Sequence, residues 1–242
     1  MGDLLAITNT GAADKLLLVS GEVTTTIKTS QDVSAVDSSP QGISYNGQNT
    51  PWCGSADDKL YLTSGVFSST LKTSIANSAD LNATGISATS VLGLGNTLIS
   101  GNANDKLWRL SGVFTMTVKS SLSIGAVDTG PQGICQDSTN VPWTGQGDDK
   151  LYLTSGDLTS TLKTSLSIGA VDLTPKGISW TGVNTPWAGQ EAGKIYITSG
   201  QFTSTLKDSD IISASIEDVD TNLPYARLGI GTPVKWYHYS NR

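Results

Sequence analysis

The side chains in this sequence with the capacity for chemistry are aspartates that recur at near-regular intervals. One group stands just before a lysine, in stretches such as DDKLYLTSG, which occurs unchanged at residues 57–65 and 148–156. A second group lies in the connections that follow, and the two groups together are Asp14, Asp57, Asp58, Asp105, Asp148, Asp149, Asp37, Asp80, Asp128 and Asp172. Carboxylates brought onto one face could ligate Ca²⁺, which takes several oxygen ligands, or accept hydrogen bonds from a sugar.

The same aspartates also suit a structural role. Aspartate stabilises turns through its carboxylate, and it pairs with a neighbouring lysine. Because repetition in every copy is what a structural role requires, we favour that interpretation. If a ligand binds, we expect it at Asp57, Asp58, Asp105, Asp128, Asp148, Asp149 and Asp172. No metal ion or other cofactor is predicted.

An internal repeat positions these aspartates. A lysine marks each copy, with spacings of 44, 47, 44 and 44 residues, at Lys15, Lys59, Lys106, Lys150 and Lys194. A second lysine follows thirteen residues after the first, at Lys28, Lys72, Lys119, Lys163 and Lys207. Periods in this range indicate propellers or solenoids.

Each copy is predicted to form four short strands. Apolar residues alternate in KLYLTSG, and Asn46-Gly47 and Ser64-Gly65 are typical hairpin turns. In the last copy, we predict strands at residues 177–180, 185–189, 194–199 and 202–207. Three short turns and one connection of about ten residues are typical of a propeller blade, whose outermost strand crosses to the innermost strand of the next blade.

The predicted fold is therefore all-β: a single five-bladed β-propeller with four-stranded antiparallel blades, spanning residues 1–231. The first strand matches the second strand of a blade, so N- and C-terminal strands are predicted to share one blade and close the ring. We place the closing strand at residues 227–231. Closure removes two unpaired sheet edges.

The motifs resemble those of known propellers. The string P-x-G-I-S-[WY]-x-G-x-N-T-P-W, followed by [DG]-K-[LI]-Y, resembles the blade unit of NHL-type and related propellers. The nearly identical, Ser/Thr-rich copies are similar to repeats in virion and tail-fibre proteins of tailed bacteriophages. The first resemblance implies the propeller fold, and the second implies a structural role in a virion. Residues 85–101 and 209–224 depart from the pattern, and contacts with partners would differ between blades at such irregular loops.

Other recurrent side chains are assigned structural roles. Trp52, Trp143 and Trp187 each follow a proline in the same strand register, where packing between blades is favoured over a sugar-stacking platform. The second lysines are placed near the end of the outer strand, where charge discourages edge pairing. Cys53, aligned with Asn9 of the first copy, and Cys135 are predicted to be small buried residues and not a disulfide or reactive thiols.

Several function classes are disfavoured by composition. The net charge is -6, and 15 evenly spread cations do not form the basic surface that nucleic acids require. The histidine is His238, the glutamates are Glu22, Glu191 and Glu217, and no nucleophile, base and orienting acid recur together. Propeller lactonases, which resemble this fold, hold a central metal through a Glu-bearing motif that is not visible in this sequence. We expect no enzymatic activity.

Residues 232–242, which we call the aromatic segment, break from the repeat. Its Trp236, Tyr237 and Tyr239 are predicted to dock a partner, because aromatic residues are enriched at interface hot spots. The alternative is a last strand or a segment packed on the rim of the ring.

We expect a non-enzymatic structural and binding module of a phage virion, such as a fibre, decoration or tail-surface protein, that contacts other virion or assembly proteins or cell-surface glycans. No apolar run reaches the roughly 20 residues of a membrane helix, and no signal peptide is evident, so synthesis in the host cytoplasm is expected. A carbohydrate-binding lectin and a metal-dependent propeller hydrolase are the alternatives.

Overall fold

The computed structural model describes residues 4–8, 14–19, 27–46, 48–65, 71–77, 79–80, 82–88, 96–112, 117–136, 139–155, 158, 162–191, 193–200, 202, 206–211 and 216–220. Within these ranges the chain forms twenty strands arranged in five antiparallel four-stranded sheets. None of the described segments is a helix that could cross a lipid bilayer.

The five sheets are the blades of a β-propeller, each with its innermost strand at the axis and its outermost strand on the rim. From the axis outward, blade 1 is formed by β20 (Ile216–Asp220), β1 (Leu4–Thr8), β2 (Lys15–Val19) and β3 (Ile27–Asp32). Blade 2 is formed by β4 (Pro40–Ile43), β5 (Asn49–Gly54), β6 (Lys59–Ser64) and β7 (Leu71–Ala76). Blade 3 is formed by β8 (Ala83–Ala88), β9 (Asn96–Gly101), β10 (Lys106–Ser111) and β11 (Val118–Ser123).

Blades 4 and 5 follow the same order. Blade 4 is formed by β12 (Pro131–Ile134), β13 (Asn140–Gly145), β14 (Lys150–Ser155) and β15 (Leu162–Ser167). Blade 5 is formed by β16 (Pro175–Ile178), β17 (Asn184–Gly189), β18 (Lys194–Ser199) and β19 (Leu206–Ile211). The predicted all-β fold with five four-stranded blades is confirmed.

The ring closes as predicted, with strands from both ends of the chain in one blade, but the closing strand is different. β20 pairs antiparallel with β1, with Val219 opposite Ala6. The prediction of residues 227–231 for this strand is therefore wrong, and those residues lie outside the described part of the chain. Val219 takes the buried inner-strand position that Ile43 holds in blade 2, so burial of an apolar side chain fixes the register where the Pro-x-Gly-Ile motif is missing.

The outer strands begin later than the sequence predicts. β19 starts at Leu206, although we placed its start at residue 202. Phe202 and its counterpart Leu158 in blade 4 have positive φ angles of 61° and 62° and are buried against their blade cores. These apolar side chains fill the connection between the third and fourth strands. As a result, the second lysines stand at the second residue of the outer strand and not near its end.

Stacked aromatic pairs pack between neighbouring blades. Trp143 stacks on Tyr152 with ring centroids 4.2 Å apart, and its indole nitrogen donates a hydrogen bond of 3.0 Å to Thr154 Oγ1. The same arrangement recurs at Trp52 with Tyr61 and Thr63, and at Trp187 with Tyr196 and Thr198. All three tryptophans are fully buried, so their predicted packing role is confirmed.

Blades 1 and 3 lack this stack. Ile99 pairs with Trp108 at the equivalent positions of blade 3, and Ala6 pairs with Leu17 in blade 1. The pairing also places Ile7 opposite Leu16 where Cys53 faces Leu60, so the predicted alignment of Cys53 with Asn9 is wrong. The loop between β1 and β2 is longer than the loop between β5 and β6, so counting back from the marker lysine shifted the alignment of β1. Cys53 and Cys135 are buried and form no disulfide, as predicted.

The inner strands approach one another closely around the axis. A β-carbon on Gly42 would lie 2.7 Å from the Cα of Gly85 in the next blade, which is too close for any side chain. Side chains also bridge the blades near the axis, because Thr84 Oγ1 donates a 2.7 Å hydrogen bond to the carbonyl of Pro131. The repeated glycine of the inner strand therefore permits the packing of five blades around a narrow axis.

Candidate functional site

The connections that carry the aspartates lie on one face of the ring, which we call the loop face. It comprises the crossovers between blades and the loops between second and third strands, at residues 33–39, 55–58, 79–80, 102–105, 124–130, 146–149, 168–174 and 190–191. Contacts between the two kinds of connection show that they are adjacent, as predicted. For example, the backbone nitrogen of Gln146 donates to the carbonyl of Gly130 at 2.8 Å.

One aspartate in each described crossover is buried and engaged in hydrogen bonds. These crossover aspartates, Asp37, Asp80, Asp128 and Asp172, are only 1% to 4% exposed. The carboxylate of Asp128 accepts bonds from the backbone nitrogens of Gly130, Gly147 and Asp148 at 2.7, 3.1 and 2.9 Å. It also lies 3.4 Å from the hydroxyl of Tyr152. The side chain thus ties the crossover to the loop of the same blade.

The other crossover aspartates make equivalent bonds. Their partners are the backbone nitrogens of Ser39 and Asp57 for Asp37, those of Asn82 and Ala103 for Asp80, and that of Thr174 for Asp172. In blades 2 and 5 a tyrosine hydroxyl also donates to the carboxylate. Burial, reinforced by the negative charge of Asp172, raises the pKa of Tyr196 to about 12. Burial and the crossover carboxylate likewise raise the pKa of Tyr61 and Tyr152.

The aspartate directly before each first lysine serves the backbone. Asp58, Asp105 and Asp149 have φ angles of 52°, 50° and 53°, and Gly193 takes the equivalent position with 58°. Aspartate tolerates this left-handed conformation better than most residues, and glycine adopts it without strain. The carbonyl of Asp149 accepts a 2.9 Å hydrogen bond from the backbone nitrogen of Ile168. The carbonyl of buried Asp14 accepts the corresponding bond in blade 1.

The first aspartate of the DDK motif is exposed. The carboxylates of Asp57 and Asp148 pair with the lysine two residues later at 3.1 and 3.0 Å. The side chains of these loop aspartates are 50% and 52% exposed, so the pairs are surface contacts that stabilise the fold little. Within the described residues, no group of three or more histidine, cysteine, aspartate or glutamate side chains is arranged to hold a metal ion.

A polar network that the sequence analysis missed lies where the inner strands begin, next to the loop face. Five residues hold the same inner-strand position in successive blades: Glu217, Gln41, Thr84, Gln132 and Lys176. The ammonium group of Lys176 lies 3.4 Å from Gln132 Oε1 and 3.4 Å from Glu217 Oε2. Gln190 donates a 2.7 Å hydrogen bond to Glu217 Oε1. This axial network joins blades 4, 5 and 1.

The sequence feature that could have predicted this network is the variable residue x of the P-x-G-I motif. That residue is Gln41, Gln132 or Lys176, and each is polar although its neighbours are buried. Glu217 could be added only after β20 was placed correctly, and the sequence analysis placed the closing strand elsewhere. The predicted docking residues Trp236, Tyr237 and Tyr239 lie outside the described residues.

Solved structures with this fold differ in function. A chain in the crystal structure of a nidogen/laminin complex aligns with 13% identity and a TM-score of 0.59, covering 91% of this chain and 98% of that one. A catalytically inactive virginiamycin B lyase from Staphylococcus aureus with quinupristin aligns with 15% identity and a TM-score of 0.52, covering 87% and 70%. A functionally unknown protein from Desulfotomaculum acetoxidans aligns with 15% identity and a TM-score of 0.50, covering 85% and 69%.

No protein-family model and no curated protein matches the sequence. Identities of 13% and 15% show a shared fold and nothing finer. A chain from a protein complex and a lyase both have this fold, so the fold by itself does not separate a binding protein from an enzyme. Whether this chain is a binding protein or an enzyme must therefore be argued from the residues of the loop face.

Proposed function

We propose that this chain is a non-enzymatic structural and binding propeller in the virion of a tailed bacteriophage, as a fibre, decoration or tail-surface component. The proposal that the chain is not an enzyme rests on the burial and hydrogen bonding of the crossover aspartates. Each is buried, and each already accepts hydrogen bonds from backbone groups of its own blade. A carboxylate used in this way builds the loop face, whereas a general base or a metal ligand needs oxygens directed at the reacting group.

Differences between equivalent loops support a binding surface. At one crossover position the ring presents Ser38, Thr129 and Leu173 in different blades, all of them exposed. A rigid ring that displays different side chains on equivalent loops suits contact with a protein partner, because the scaffold stays fixed while the surface varies. We therefore assign the loop face to contacts with other virion or assembly proteins.

The virion assignment rests on the resemblance that the sequence suggests between its Ser/Thr-rich repeats and those of phage virion proteins, and it implies synthesis in the host cytoplasm. Mass spectrometry of gradient-purified particles tests it directly. The protein is expected in the particles at a fixed ratio to the capsid protein, encoded beside portal, capsid or tail genes. Presence in the infected-cell lysate together with absence from the particles would refute it.

A lectin is the second candidate, because the exposed Asp57 and Asp148 carboxylates could accept hydrogen bonds from sugar hydroxyls. A glycan array with the wild type and the Asp57→Asn/Asp148→Asn variant tests this function. Sugar binding that the double substitution abolishes would favour the lectin over the structural role. The predicted ligand contacts at Asp58, Asp105, Asp128, Asp149 and Asp172 stay predictions, and the same array would test single variants of each.

A further inference from the structure

We propose that the aromatic segment of one copy docks on the loop face of blades 4 and 5 of another copy. Its binding surface is an acidic and apolar patch formed by Asp148, Asp149, Val171, Leu173 and Glu191, which we call the blade 4/5 patch. The inference deepens the proposed assembly role and rests on it, since it names the partner of the loop face as a second copy of the chain.

The patch exposes two apolar side chains. Val171 is 40% exposed and Leu173 is 51% exposed. The equivalents of Val171 in other crossovers, Val36 and Val127, are partly buried against their blade cores. Leu173 replaces Ser38 and Thr129, which are polar. Among the crossovers that are described at both positions, those into blades 2, 4 and 5, only the crossover into blade 5 has exposed apolar side chains at both.

Carboxylates lie beside Leu173 of this apolar pair. Glu191 Oε2 accepts a 3.2 Å hydrogen bond from the backbone nitrogen of Leu173. Asp149 and Leu173 both border Gly169, because a β-carbon there would lie 3.4 Å from Asp149 Cβ and 3.7 Å from Leu173 Cδ2. Burial, and then the charges of neighbouring carboxylates that include Asp148 and Glu191, raise the pKa of Asp149. The patch thus combines exposed apolar area with several carboxylates, of which that of Asp148 also pairs with Lys150.

Such a surface complements a cationic segment with large apolar side chains. The aromatic segment, TPVKWYHYSNR, contains Lys235, Arg242 and three aromatic residues, and it has no aspartate or glutamate. The net charge of the aromatic segment is therefore positive, although the whole chain has a net charge of -6 and the blade 4/5 patch contains carboxylates. Aromatic anchors with cations at their edges fit an apolar centre with an acidic rim, and the opposite charges favour association at low salt.

The direction of β20 favours a second copy as the acceptor. β20 starts with Ile216 beside Thr8, near the loop face, and ends with Asp220 beside Leu5, at the opposite face. The last described residue of β20, Asp220, therefore lies on the side of the ring away from the blade 4/5 patch of the same copy. A copy stacked on that side along the axis would turn its own patch toward the end of β20. Such a contact joins two different surfaces, so it can extend from copy to copy.

Complementation of two defective variants of the full chain tests the proposal. The patch variant is Leu173→Ser/Glu191→Gln, which introduces the serine found at residue 38, and the segment variant is Trp236→Ala/Tyr237→Ala/Tyr239→Ala. In sedimentation velocity the wild type is expected to self-associate with increasing concentration, and about fivefold more weakly in 0.5 M NaCl because salt screens the charges. Each variant alone is expected to be monomeric. An equimolar mixture is expected to form dimers and nothing larger, since one intact patch meets one intact segment.

Leu162→Ser provides the matched control, because this outer-strand residue is 38% exposed but lies on the rim. It is expected to associate like the wild type. A labelled peptide of residues 232–242 gives a second measurement: it should bind the segment variant and lose most of its affinity for the same protein carrying Leu173→Ser. A wild type that is monomeric at all concentrations, or a mixture that stays monomeric, would overturn the proposal. If the protein sediments as a monomer but is present in purified particles, the virion role stands and the docking proposal fails. If it self-associates but is absent from purified particles, only the virion role fails.

Discussion

The ammonium group of Lys176 lies 3.4 Å from Glu217 Oε2, across the junction where the ring closes. Their side chains are 12% and 3% exposed, so this ion pair is largely buried. The apolar cluster at the same junction contains only aliphatic residues and no aromatic stack: Ala6, Leu17, Ala188, Ile195 and Val219. The axial network therefore adds a largely buried ion pair to a junction that has no aromatic stack.

Removal of one charge from this pair is expected to destabilise the ring. Glu217→Gln would leave the Lys176 ammonium largely buried beside neutral amides, at a cost of about 3 kcal/mol in the free energy of unfolding. Lys176→Gln/Glu217→Gln places at both positions the residue that blades 2 and 4 already use, and it should recover at least half of that loss. Urea unfolding of both single variants and the double variant measures the coupling. Strictly additive losses would show that the ion pair does not hold the junction.

The buried and exposed aspartates of one blade should differ sharply in their effect on stability. Asp128→Asn directs an amide group at backbone nitrogens that donate to the carboxylate, and it should lower the free energy of unfolding by about 2–3 kcal/mol. Asp148→Asn is the matched control, since it weakens only an exposed pair with Lys150 and a long 3.4 Å contact with the Tyr152 hydroxyl, and it should cost about 0.5 kcal/mol or less. Thermal and urea unfolding measure both. Equal losses would contradict the structural role of the crossover aspartates.

The left-handed backbone before the first lysine predicts an unusual order of substitutions. Asp105 has a φ angle of 50°, and Gly193 shows that glycine serves at the equivalent position. Asp105→Gly should therefore be tolerated, whereas Asp105→Ala should be less stable than the glycine variant by about 1 kcal/mol because of its β-carbon. In most strands and helices the order is reversed. An alanine variant as stable as the glycine variant would show that this turn relaxes to another conformation.

The sequence predicts those parts of the fold that depend on local patterns. Alternating apolar residues, the Asn46-Gly47 and Ser64-Gly65 turns and the 44-residue period indicate the blades without reference to distant contacts. The closing strand was misplaced because its residues lack the Pro-x-Gly-Ile motif, and only pairing with β1 reveals it. The outer strands were misplaced because Phe202, an apolar residue in a β-like pattern, is buried in a connection.

For the candidate site too, local patterns were predictable from the sequence and contacts between distant residues were not. The sequence grouped the aspartates on one face, yet it could not separate buried Asp128 from exposed Asp148, since burial depends on how the crossover folds over the loop. Lys176 and Glu217 hold equivalent inner-strand positions in successive blades, but Glu217 lies outside the Pro-x-Gly-Ile motif and could be aligned only through the pairing of β20 with β1. Long-range pairing therefore sets the limit of what repeat analysis could predict in this protein.

The stacked tyrosines predict a loss of stability in alkaline solution. The pKa of Tyr196 is about 12 in the folded protein, against an ordinary value of 10.0, because burial and then the Asp172 carboxylate disfavour the phenolate. Below pH 10 the phenol is protonated in both states. Between pH 10 and 12 the unfolded chain loses the proton while the folded chain keeps it, so the free energy of unfolding decreases as pH rises through this window.

Urea unfolding at pH 9, 10, 11 and 12 measures this decrease, and Tyr196→Phe isolates the contribution of the one hydroxyl. The phenylalanine variant keeps the stack on Trp187, so its stability should fall less steeply above pH 10 than that of the wild type, although it loses the hydrogen bond to Asp172 at neutral pH. Titration of tyrosinate absorbance should also show a higher midpoint in the folded protein than in urea. Parallel stability curves for the two proteins would contradict the raised pKa of Tyr196 and the contact with Asp172 that reinforces it.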